Sequence, residues 1–175
     1  TPPRTPPPPA LSICPSLVRG MDEGGDPAAD SRSREKPMRL MIIVKGNRDS
    51  EAGVPPDPRL MSAMADYHEE LARAGVLLDA WGLHPTSNGA RVRFSGGRRN
   101  WIDGPFTESK EIIAGYTLIQ VKSREEGVEW AKRFPAPFGD EQECEIEIRQ
   151  LFELDDFAPS EAVERFRELG MSPER

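Results

Sequence analysis

A chain of 175 residues, 37% hydrophobic and 30% charged, has room for one domain with appendages. Its longest apolar run, Leu40–Val44, is far too short to span a bilayer, and the formal charge of -7 argues against nucleic-acid or anionic-lipid surfaces, which reward positive patches. Two cysteines, Cys14 and Cys144, offer neither a disulfide framework nor metal-ligand spacing, so a reducing cytoplasm is the expected setting.

Residues 1–37 hold 9 of the 18 prolines, and their five basic and five acidic side chains cancel. Thr1–Pro9 reads as polyproline II and Gly20–Pro37 as a polar linker. A proline run can serve an SH3-like partner, but the reading adopted is a disordered extension, with Met21 and Met38 each able to start translation. No signal-peptide pattern is read at its start.

The folding part begins with Met38–Gly46, apolar on both alternating faces as a central strand is. Asn47–Pro58 reads as a polar loop. In Arg59–Gly75 the residues Leu60, Met64, Tyr67, Leu71 and Ala74 recur at steps of four and three, one face of a helix that Gly75 ends. Val76–Leu83 is a second strand, Thr86–Gly89 a turn, and Ala90–Ser95 an alternating strand broken by Gly96-Gly97. Arg98–Ile102 leads into Asp103-Gly-Pro-Phe106. Ile113–Lys122 is a long strand. Ser123 with Glu126 makes a capping box for a helix carrying Val128, Ala131 and Phe134 inward and stopping at Pro135. Glu143–Leu154 is the last strand, and Ser160–Leu169 a terminal helix.

The order β-α-β, hairpin extension, β-α-β predicts an α+β fold of the ferredoxin-like split βαβ type. Both helices then cover one sheet face. A second copy stacking on the other face predicts a homodimer, a dimeric α/β barrel. The divisions expected are residues 1–37, a domain over 38–158, and a helical tail over 159–175.

Several side chains stand out as chemistry. His68 borders the apolar stripe of the first helix and by position alone reads as capping it. His84 is held extended by Pro85 at a strand end. Asp103 sits where Gly104 permits a reversal and Pro105 fixes it, with Phe106 as its expected anchor in the core. That turn holds the carboxylate for backbone bonds, for a ligand, or for both. Glu108 and Lys110 read as a surface pair. Arg91, Arg93, Arg98 and Arg99 form a basic cluster on the hairpin, read as charge that blunts an edge. Glu147 and Arg149 share a strand face. No metal set and no cofactor are read from the spacing.

Five segments then carry a resemblance. They are Tyr67-His-Glu-Glu-Leu-Ala-Arg-Ala-Gly75, Gly82-Leu-His-Pro85, Arg91-Val-Arg-Phe-Ser-Gly96, Asp103-Gly-Pro-Phe-Thr-Glu-Ser-Lys-Glu111 and Glu145-Ile-Glu-Ile-Arg149. Over Met38–Phe157 the chain resembles the YCII-related family in its DGPF-domain branch. The resemblance implies a dimeric α+β barrel with a small cleft and a His–Asp active site, which here falls on His68 and Asp103. His84, Trp81 and Arg149 are the ligand-binding candidates. Asp79-Ala-Trp81 stands where many relatives have smaller residues, which reshapes a pocket. The function expected is binding of a small polar molecule with acid–base chemistry. The alternatives are a regulatory interaction module linked to sigma-factor signalling and, by fold analogy, a cofactor-free monooxygenase-like barrel.

Overall fold

The computed structural model describes residues 36–106 and 111–171; the proline-rich extension and the Glu108–Lys110 pair lie outside the described residues. Four strands form the main sheet: β1 (Met38–Lys45), β2 (Leu77–Gly82), β5 (Ile113–Val121) and β6 (Ile146–Gln150). Their order is β2-β5-β1-β6 with every neighbouring pair antiparallel, the ferredoxin-like arrangement expected from the element order. Strands β3 (Ala90–Ser95) and β4 (Arg98–Asp103) make a separate two-stranded hairpin. Arg98–Ile102 is therefore a strand in its own right. Gly96 and Gly97, both at positive φ (55° and 76°), form the two-residue turn that such a hairpin requires.

Helix α2 (Pro58–Arg73) starts where the Asp57 carboxylate accepts the Arg59 and Leu60 N–H groups, with Pro58 in the first turn. The expected loop before it contains a one-turn helix, α1 (Arg48–Glu51). Asn47 and Ser50 satisfy each other's backbone there, a local signal that hydrophobic periodicity does not report. Helix α3 (Arg124–Lys132) is capped by Ser123, but the Glu126 carboxylate reaches the Lys122 N–H rather than that of Ser123. Helix α4 (Glu161–Glu168), with Ser160 at its cap and Val163 buried, follows the sheet. No helix among the described residues is long and apolar enough to cross a membrane.

The core lies between the sheet and α2 and α3. Leu40 and Ile42 of β1, Thr117, Ile119 and Val121 of β5, and Tyr67 and Leu71 of α2 are buried there with Val76 and Ala131. Ile146 and Ile148 pack against them, as the alternation of the last strand predicts. Gly127 lets α3 approach, since a Cβ there would fall 2.0 Å from Leu40 Cδ1. Ala74, read as part of the apolar face, is exposed because it caps α2 beyond its last buried turn.

The register fixes what the opposite face carries. Trp81 pairs with Tyr116, Tyr116 with Ile43, and Ile43 with Glu147; one step along, Asp79, Leu118, Met41 and Arg149 follow the same path. Met41, Ile43 and Leu118 are half-buried on this face. β1 is thus fully buried on its helix side only.

Candidate functional site

A bulge in β2 moves Leu78 out of register, so Asp79 and Trp81 share the face of Leu118 and Tyr116. The Asp79 carboxylate accepts the Tyr116 hydroxyl at 2.9 Å and the Ala80 N–H at 3.0 Å. Trp81, beside them, is 67% exposed. Across the sheet Lys45 joins Glu111 and Glu147, the latter at 2.8 Å, and Glu147 also accepts Arg149 at 3.0 Å. Hydrogen bonds to Glu111 and Glu147 push the Lys45 ammonium above its ordinary pKa. Those from Lys45 and Arg149 hold Glu147 below its own. Lys45 also lines a shallow depression of about 310 Å³ with Gly46, Glu111, Phe138 and Cys144.

Trp81 and Arg149, two of the predicted ligand-binding residues, therefore lie on one sheet face. His84 does not join them; it is exposed on the segment after β2, next to Pro85.

His68 points the other way, under α2. Its Nδ1 lies 2.7 Å from the Met64 carbonyl and its Nε2 2.9 Å from the hydroxyl of Thr117, which is 2% exposed. A carbonyl can only accept, so Nδ1 carries the hydrogen and, in the neutral ring, Nε2 accepts from Thr117. Tyr67 and Phe134 pack edge-on against the imidazole. Asp103 accepts the Trp101 indole N–H at 2.6 Å. Among the described residues no hydrogen bond joins His68 to Asp103; each is engaged elsewhere.

The Asp103-Gly-Pro-Phe106 stretch is explained by its contacts. Gly104 donates to Gly89 O at 3.0 Å and lies so near Thr86 that a Cβ would fall 1.8 Å from its carbonyl oxygen. The Phe106 N–H donates to Thr86 Oγ1 at 3.2 Å, and Thr86 donates in turn to the Glu51 carboxylate. The Phe106 ring sits half-buried beneath the Arg91 guanidinium, 3.9 Å away, rather than in the core. The turn packs instead on Thr86 and Gly89, so the ring meets a cation and not the core cluster. So the motif ties the hairpin base to α1 and to the short turn Thr86–Asn88.

The sequence from 38 to 153 matches the YCII-related domain family. The chain belongs to the YCII-related domain family. It is also 34% identical over 76 residues to an uncharacterised protein of Rhizobium meliloti (strain 1021). That stretch covers 43% of this chain and 61% of the relative's length.

Neither Lys45 nor Tyr116 is singled out by residue type as a site candidate; the parity of β1 and β5 is the signal that puts them on the open face. This YCII-related chain has two tyrosines, and both hold their protons beyond the usual range. The hydrogen bond to Asp79 raises Tyr116, and burial pushes Tyr67 up to about 12. The unfolded chain releases both near pH 10. The folded state then binds more protons, so stability present below about pH 10 is lost as pH rises toward 12. Absorbance titration at alkaline pH is expected to show little tyrosinate at pH 10 in the folded protein. Two ordinary titrations would contradict this.

Proposed function

We propose that this YCII-related protein, of the DGPF branch by its Asp103-Gly-Pro-Phe106 stretch, works as a homodimer. Each copy closes the other's open sheet face and leaves a small-molecule site between the layers, in a cytoplasmic setting. The observation that carries this is the face itself. Half-buried Met41, Ile43 and Leu118 form an apolar centre, with the fixed polar groups Asp79, Tyr116, Glu147 and Arg149 around it. An apolar sheet centre with polar margins suits a second copy, and fixed polar groups beside it suit a ligand. Acid–base chemistry by His68 and Asp103 requires both to leave their present partners. Binding on the sheet face requires no such change and is the reading adopted.

Sedimentation velocity on the full chain is expected to give a dimer that Leu118→Glu converts to monomer. A metabolite screen by thermal shift is then expected to find a stabilising small molecule whose effect Arg149→Ala or Trp81→Leu reduces. A monomeric wild type sinks the reading.

A second reading, a non-catalytic interaction module, is favoured by the β3–β4 hairpin. Val92, Phe94 and Trp101 share one of its faces, the two aromatics 71% and 68% exposed. Arg99 stands opposite Phe94 on that face, and Arg91, Arg93 and Arg98 lie on the other. Loss of a macromolecular partner in Phe94→Ser, with the dimer and ligand stabilisation intact, would favour this module.

A further inference from the structure

We infer that Asp79, Trp81 and Tyr116 form a binding site for a small organic cation, an amine or quaternary ammonium group seated on the indole face and balanced by the carboxylate. The inference rests on the reading of the open sheet face as the ligand face, and it names the chemistry of that ligand.

Three observations carry it. First, the carboxylate is fixed: one oxygen takes the Ala80 N–H and the other the Tyr116 hydroxyl. A carboxylate has about four acceptor positions, so capacity is left over for a ligand. Second, the carboxylate has no counter-ion among the described residues. By contrast, Glu147 of β6 is paired with Lys45 and Arg149, and Glu153 just after β6 with Arg39. Among the described residues no Lys, Arg or His forms an ion pair with Asp79. A half-buried carboxylate draws a cation, and more so once a second copy excludes water.

Third, an exposed indole shares the carboxylate's strand face, and a phenol hydroxyl is bonded to it. Asp79 and Trp81 are two apart on one strand and so share a face, and Tyr116 stands opposite Trp81 on the neighbouring strand. Indole is the strongest cation–π partner among side chains, and its ring is largely bare. Tyr116 keeps its proton and remains a donor to Asp79, so the carboxylate stays the only charge in the group. The carboxylate repels anions, and it offers too few oxygens for a metal ion. The acidic chain adds a long-range pull in the same direction.

The test is isothermal titration calorimetry of the full chain with tetramethylammonium chloride and, separately, choline chloride, each against sodium chloride at matched ionic strength. Binding above the sodium control is expected. Trp81→Leu and Asp79→Asn are each expected to weaken it by about fivefold or more, while Trp81→Phe retains part of it. Circular dichroism on each variant separates lost binding from lost fold, and Trp81→Phe serves if the leucine variant does not fold. No heat from either probe with the wild type overturns the proposal, and so does undiminished binding by Trp81→Leu.

Sedimentation velocity on the same samples separates the two readings. A monomer that binds the probes removes the dimer and leaves the cation site. A dimer that binds neither probe, and that Asp79→Asn dissociates, overturns the cation site and gives Asp79 a partner in the second copy.

Discussion

Replacing Gly104 with alanine is expected to cost about 3 kcal/mol of stability, because an added methyl would sit 1.8 Å from the Thr86 carbonyl oxygen. The obstacle is backbone, so no side-chain rotation relieves it. The turn must move away from Thr86 and give up the Gly104–Gly89 and Phe106–Thr86 hydrogen bonds. Thr86 also holds Glu51, so the shift reaches α1. Urea unfolding followed by tryptophan fluorescence measures the loss, and a midpoint within error of wild type would refute this account of the motif. Activity or ligand binding by the sheet face is expected to change less than stability, because Gly104 and the open face belong to different parts of the fold.

Glu153→Ala is expected to cost a further large amount, about 3 kcal/mol, for a different reason. Glu153 is 7% exposed and accepts from Nε and Nη2 of the Arg39 guanidinium, at 3.1 and 2.8 Å. Removing it strands a guanidinium that is itself mostly covered. Removing both charges strands nothing, so Arg39→Met with Glu153→Leu is expected to recover most of the loss. A double variant as unstable as the single one would mean that the pair's geometry, not its uncompensated charge, sets the cost. Thermal or urea unfolding of the three proteins gives the coupling.

Much of the fold was legible because its elements repeat. The steps of α2 through Tyr67 and Leu71, and the alternation of β5, each follow from burying one face of a regular element. What escaped was local or non-periodic. Helix α1 is one turn held by Asn47 and Ser50, and β4 has no buried face to produce an alternating pattern. The bulge that turns Asp79 toward Tyr116 leaves no mark in residue types. For the candidate site, Trp81 and Arg149 fall on one open sheet face, but His68 could not be assigned to its sheet partner. Its contact with Thr117 spans 49 residues and depends on how α2 lies on β5. The same limit hid the pairing of Lys45 with Glu111 and Glu147.

The strand order also governs how the chain comes into being. Of the described strands β1 is made first, yet it stands inside the sheet, and Leu40 finds one neighbour in Ile119 and the other only in Gln150. On the ribosome its apolar residues therefore emerge well before either partner exists. Sheet closure waits for nearly the whole domain, and contacts of such long sequence separation fold slowly compared with helical bundles. In the interval Met38–Lys45 is an unpaired hydrophobic strand, the kind of segment that nascent-chain chaperones hold and that joins other chains when left alone. Truncation before β6 would leave that strand permanently unpaired on one edge, so shortened products of this gene are expected to aggregate rather than to accumulate as folded fragments.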